Sequence, residues 1–135
     1  MAFMPWSQKY MVDITEIDAQ HIKLFDLINE LHASMMGGQS SATVGRTIDG
    51  LVDYVRLHFN TEERLFARHG YTDSAAHKRE HEEFTKRVLD FQAQYHEGAS
   101  AISVELVEFL VTWLKNHVMG SDKKYAPFMK LKGVS

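Results

Sequence analysis

The sequence contains no cysteine, only two prolines and no apolar stretch long enough to span a bilayer. Without thiols there are no disulfides, thiolate ligands or thiol nucleophiles, so a bound metal must be held by nitrogen and oxygen. Positive charge is not in excess: the formal net charge is -3, which gives no footprint for nucleic acid or anionic lipid. The N-terminus MAFMPWSQKYMVD has neither a long apolar core nor a twin-arginine pair. A cytoplasmic location with no membrane insertion is therefore expected. Repeats, low-complexity runs and linkers are also missing, and 135 residues suffice for one domain, 1-135, with its own core. Hydrophobic residues at 44% and charged residues at 24% argue against disorder.

What is present is helical periodicity. Four segments with apolar residues three and four apart stand between turn signals. The first is expected from about Asp18, acting as N-cap, to Met36, with Leu24, Phe25, Ile28 and Leu31 on the face begun by His21. The second runs from about Ser41 to His69 with Ile48, Leu51, Val55, His58, Glu62 and Leu65 along one stripe, and Gly70 stops it. Gly45 and Gly50 weaken its early turns. The third, from about Ser74 to Tyr95, turns His77, His81, Phe84, Val88, Phe91 and Tyr95 inward. The fourth begins near Ala101, shows Ile102, Leu106, Leu110, Trp113 and His117 on one face, and reaches Gly120. Pro5 and Pro127 lie outside all four. Short connections predict an all-α fold: an up-down-up-down antiparallel four-helix bundle followed by a short C-terminal segment.

Each apolar seam carries at least one histidine, a residue that must be hydrogen-bonded or metal-bound when buried. His21 opens the first helix, His58 with Glu62 lies late in the second, His77 and His81 of HKREH open the third, and His117 nears the end of the fourth. In an up-down-up-down bundle these positions share one end. Asp122, five residues past His117, is offset by about 140° on a regular helix, so it points inward only if the helix is distorted, which Gly120 permits. By contrast His32, about 20° off the face of His21, lies towards the opposite end and reads as structural. His69 and His96 sit at helix ends, where they favour the C-terminal dipole. Five imidazoles and two carboxylates exceed the needs of one tetrahedral zinc and suit two carboxylate-bridged ions of higher coordination number. The spacing does not select iron.

The stretches IDAQH, HFNTEE, HKREH and WLKNHVMGSD resemble the hemerythrin family, specifically the bacterial single-domain members, over roughly Trp6 to Tyr125. The resemblance implies two iron ions in a non-haem, oxo- or hydroxo-bridged diiron centre. His77, His81 and His117 would bind one iron, His21 and His58 the other, with Glu62 and Asp122 bridging. It further implies reversible dioxygen binding at the two-histidine iron, for oxygen storage or for delivery to an oxygen-consuming enzyme as recipient. Leu24, Phe59, Trp113, Leu114 and Val118 match positions lining the oxygen pocket, and Val118 replaces the more usual isoleucine, a change that bears on affinity and autoxidation. The segment MPWSQKYMVDITEID looks like the family's N-terminal arm, folded back over the bundle with Trp6 as a packing anchor. Asp18 is a cap, with a bond orienting His21 as a second role. The implied function is binding and not catalysis. A diiron oxidase or peroxidase, an oxygen or iron sensor and a structural zinc site are the alternatives. Ferritin-like diiron enzymes usually carry Glu-x-x-His on two helices, and this chain has none.

Overall fold

In the computed structural model, which describes residues 3–98 and 102–135, α1 (Thr15–Met36), α2 (Ser41–His69), α3 (Ser74–His96) and α4 (Ile102–His117) form the bundle. A π-helical turn, Val118–Asp122, continues α4 directly into α5 (Lys123–Leu131). The helices are antiparallel neighbours, with α1 packed on α2 and α4, and α3 on α2 and α4. The expected start near Ala101 and the seam side chain of Ile102 lie outside the described residues. Among the described residues no helix is long and apolar enough to cross a membrane.

Local chemistry explains most boundaries. Ser40 caps α2 by accepting from the Thr43 amide at 3.2 Å, and Gly70 ends it in the left-handed region at φ 68°, as the apolar pattern and glycine predict. Gly45 has a packing reason that the sequence did not show. A Cβ there would lie 3.2 Å from the Tyr95 ring, so the glycine lets α2 and α3 approach while Tyr95 donates to the Ser41 carbonyl at 2.8 Å. All six expected inward positions of α3 are buried. On α2 the stripe is corrected at its end, where Phe66 is buried and Leu65 only half-buried.

Asp18 is not the N-cap of α1. The helix starts at Thr15, with Ile14 in the cap position and no side-chain cap bond. Asp18 is buried inside the first turn, and its carboxylate accepts from the amides of Val12 at 2.8 Å and Asp13 at 3.1 Å. It thereby holds Asp13 at φ 63°, a conformation Asp tolerates better than most residues. A short polar residue ahead of an apolar run ties down the incoming arm instead of the helix end. Both oxygens are spent on the arm, and no bond to His21 is formed.

The arm does fold back over the bundle. Trp6 packs against Phe25 at 5.0 Å between ring centres and Tyr10 against Phe25 at 4.8 Å, but the deeper anchor is Met4, fully buried. The Asn29 side chain clasps its backbone, accepting from the Met4 amide at 2.6 Å and donating to the Met4 carbonyl at 2.9 Å. Asn29→Ala leaves two main-chain groups without partners. It is expected to lower unfolding free energy by about 1–3 kcal/mol and to speed amide exchange in residues 4–10, read by denaturant melts and hydrogen exchange.

Pro127 lies outside the four bundle helices, as expected, but within α5, where it removes one main-chain donor. Among the described residues the buried apolar side chains form two clusters. The larger fills the bundle, and a smaller one of Val12, Ile14, Ile17, Phe66, Tyr71, Tyr125 and Met129 closes one end. The polar seam residues lie between them.

Candidate metal centre

The structure brings all seven expected ligand residues together. His21 comes from α1, His58 and Glu62 from α2, His77 and His81 from α3, His117 from the end of α4 and Asp122 from the π turn. None is more than 3% exposed. A π turn inserts one residue into the helical repeat, and that insertion swings Asp122 inward from the offset a regular helix would give it. Gly120 meets nothing within 4 Å of an added Cβ and has no positive φ, so it lowers the helix propensity of the turn without being sterically required.

Asp122 reaches three histidines. Its Oδ1 lies 3.0 Å from His77 Nε2 and 3.1 Å from His117 Nε2, and its Oδ2 lies 3.1 Å from His21 Nε2. Glu62 Oε1 lies 3.1 Å from His81 Nε2 and 3.6 Å from both His58 and His77 Nε2. The donor atoms form two sets, each within 4.8 Å: Glu62, His77, His81, His117 and Asp122, and His21, His58, Glu62 and Asp122. The two carboxylates belong to both.

Close approach here is not hydrogen bonding. His21 Nε2, His77 Nε2, Glu62 Oε1 and both Asp122 oxygens are buried without a hydrogen-bond partner, a cost of about 1–3 kcal/mol each if nothing else binds them. The outward nitrogens are differently placed. His58 Nδ1 faces Gln20 Oε1 at 2.7 Å, His81 Nδ1 faces Glu63 Oε2 at 2.9 Å, and His117 Nδ1 faces Glu80 Oε1 at 3.1 Å. Each acceptor fixes the proton on Nδ1 and turns an Nε2 lone pair inward. His81 and His117 Nε2 then meet at 3.2 Å, lone pair against lone pair, an arrangement that a cation between them resolves. The residues fit a pair of metal ions.

Their charges are mutually dependent. Burial opposes protonation of His77, but Asp122 and Glu62 outweigh it and raise the imidazole to about 9. At His58 burial wins over Glu62, and the ring is pushed down to about 4. Burial works against the charged forms of Glu62 and Asp122 as well, yet the surrounding imidazoles hold both below the usual carboxylate range.

Sequence reasoning missed the residues behind the ligands. Gln20, in IDAQH, is itself held by Thr61 at 3.2 Å. Glu80, inside HKREH, also accepts from Ser121 at 2.7 Å. Tyr125, fully buried on α5, donates to Glu62 Oε2 at 2.6 Å, and burial together with the nearby carboxylates keeps the phenol protonated. Its signal was present: Tyr125 is three residues past Asp122 and so shares its helix face. His96 is the last residue of α3, as the dipole reading expects, and also contacts Asp49 on α2 at 2.8 Å. His32 is half-buried and stacks on Phe3 at 3.8 Å, away from the cluster.

Leu24, Phe59, Trp113 and Leu114 line one small cavity of about 10 Å³ together with Ile28, Leu51, Val55, Phe84 and Leu110, room for about one water-sized molecule. Every lining side chain is apolar. Phe59 stacks on His81 at 3.8 Å and Trp113 on His117 at 4.2 Å, so the cavity wall touches two imidazoles of the cluster. Val118 is not in that lining; it is fully buried in the same apolar cluster.

The sequence matches the family described as hemerythrin HHE cation binding domain over residues 12–129. It is 36% identical over 128 residues to a bacteriohemerythrin of Methylococcus capsulatus, covering 94% of this chain and 97% of that one. To a bacteriohemerythrin of Stenotrophomonas maltophilia it is 41% identical over 130 residues, covering 96% and 84%. A crystal structure of wild-type hemerythrin superposes with a TM-score of 0.87 at 35% identity, covering 93% of this chain and 97% of that chain.

Proposed function

The chain belongs to the hemerythrin family, and from that premise we propose that it binds dioxygen reversibly at a carboxylate-bridged pair of irons, storing it or delivering it to oxygen-consuming enzymes. The observation that carries this reading is the pair of buried donor sets sharing Glu62 and Asp122. His77, His81 and His117 complete one set; His21 and His58 complete the other. The second set offers one imidazole fewer, which leaves room for a small ligand on that side. Two irons, when bound, supply the electrons by which dioxygen is held and later returned.

The protein's part is to orient, exclude and hold. Gln20, Glu63 and Glu80 fix three imidazoles with their inward nitrogens unprotonated. The apolar wall of Leu24, Phe59, Trp113 and Leu114 keeps water and loose protons from the centre, and the closing cluster around Phe66 and Tyr125 does so from the other side. Tyr125 holds one Glu62 oxygen, so that Oε1 remains directed at the imidazoles. This is a binding role in which nothing is consumed.

The test is iron per chain by elemental analysis, with visible spectra taken reduced under anaerobic conditions, then in air, then after oxygen removal. One iron for each donor set and a colour that appears and disappears with oxygen support the proposal. A colour that forms once and stays, or zinc in place of iron, overturns it.

A further inference from the structure

We infer that Glu63 and Glu80 are positioning residues that make the three-imidazole set the tighter of the two ion sites, whereas Gln20 leaves the two-imidazole set weaker and more readily exchanged. The inference rests on the cluster being a metal site, as proposed above, and not on its binding oxygen.

The asymmetry lies in what stands behind the rings. His81 and His117 each give their Nδ1–H to a carboxylate, Glu63 at 2.9 Å and Glu80 at 3.1 Å. Both histidines belong to the same donor set. His58, in the other set, gives its Nδ1–H to the neutral amide oxygen of Gln20 at 2.7 Å, and His21 Nδ1 has no hydrogen-bond partner. A carboxylate draws the Nδ1 proton towards itself and makes the opposite nitrogen a stronger base, whereas an amide orients the ring with less polarisation.

Each partner is fixed in its role. Ser121 of the π turn donates to the Glu80 carboxylate at 2.7 Å, and Lys78 stands 4.0 Å from Glu63. Gln20 donates its amide N–H to Thr61, whose hydroxyl is committed to the Leu57 carbonyl at 3.0 Å, so the amide oxygen is the atom left to face His58. Glu63 and Glu80 are 27% and 43% exposed, and solvent moderates their influence without removing it. Two charged acceptors on one side stand against one neutral acceptor on the other. Outer partners of this kind typically change metal affinity by about 10–100-fold.

Cobalt(II) titrated into the metal-free protein, followed by its visible d–d absorption, reads the two sites as two steps. The unsubstituted chain is expected to bind in unequal steps. Glu63→Gln with Glu80→Gln keeps the shape and should weaken the tighter step about 10–100-fold, leaving the weaker step within about threefold. Gln20→Glu should strengthen the weaker step about tenfold or more, a gain that misfolding cannot mimic. Glu82→Gln, beside His81 in sequence but outside these contacts, should change neither. Equal weakening of both steps in the double variant, or no gain with Gln20→Glu, would overturn the inference. Failure of the unsubstituted chain to bind cobalt would overturn it together with the metal reading. Two unequal cobalt steps in a chain that never takes up dioxygen would leave it standing and overturn only the function proposed above.

Discussion

Glu62→Ala is expected to strip metal from both halves of the centre and with it most of the visible colour, because Glu62 is shared by both donor sets. The loss should exceed the roughly 10–100-fold typical of outer-shell partners, since a directly facing oxygen is removed from His58, His77 and His81 together. A second effect accompanies it: the buried Tyr125 hydroxyl loses its acceptor, costing about 1–3 kcal/mol of stability. Glu62→Gln separates the two, since its amide oxygen still accepts from Tyr125 while the charge is gone. His32→Ala, which removes a ring stacked on Phe3 far from the cluster, should keep metal and colour. Iron content and visible spectra of the three variants decide; equal loss in Glu62→Ala and His32→Ala would sink the ligand assignment.

The second large effect concerns pH. In the metal-free protein His77 is raised from 6.5 to about 9 by Asp122 and Glu62 against the opposing effect of burial. Its contribution to stability is therefore fully present below pH 6.5 and is lost as pH rises through 9, an amount on the order of 3 kcal/mol from linkage. His58 works in the opposite sense. Depressed by burial to about 4, it contributes above pH 6.5 and loses that contribution as pH falls towards 4. Glu62 and Asp122, held below the usual range, add to the loss on the acid side. Urea midpoints of the metal-free protein should thus peak near neutrality and fall on both sides. A ligand nitrogen must shed its proton to bind metal, so metal affinity should rise by up to about tenfold per pH unit between 7 and 9. A flat stability profile from pH 6.5 to 9, or affinity independent of pH there, would show that His77 does not carry the proton.

The sequence made the bundle and the meeting of the histidines legible for one reason: an imidazole in an apolar stripe has no comfortable solitary state. Once the stripes of α1 to α4 were phased, the chain direction of each helix placed His21, His58, His77, His81 and His117 at one height. Asp122 was harder, because its placement depends on a π turn, and the sequence indicates only that a distortion is tolerated there. Asp18 misled because a carboxylate ahead of an apolar run has the same appearance whether it caps its own helix or binds another segment's amides. Glu63 and Glu80 were invisible for a related reason. They sit on the flanks of the seams, part-exposed, where a charged residue ordinarily faces solvent and nothing in one sequence marks it as the partner of a buried ring. The resemblance to the family points to Leu24, Phe59, Trp113, Leu114 and Val118. The first four line one cavity with Ile28, Leu51, Val55, Phe84 and Leu110 and Val118 does not; those five further residues read in the sequence as ordinary core.

The π turn can also be seen as a phase slip in a single rod. Upstream of it the buried positions Leu106, Leu110 and His117 keep one azimuth; downstream Asp122, Tyr125 and Met129 keep another, and the extra residue at Val118–Asp122 is what brings the two into line. Residues 102–131 therefore behave mechanically as one continuous helix while their apolar code is written in two frames. Removing a single residue between His117 and Asp122 would leave the carboxylate four residues past the imidazole, about 40° away on a regular helix, so a plain α-helix would keep Asp122 and Tyr125 on the cluster. Straightening the turn with all its residues in place would instead carry both off it by about 100°.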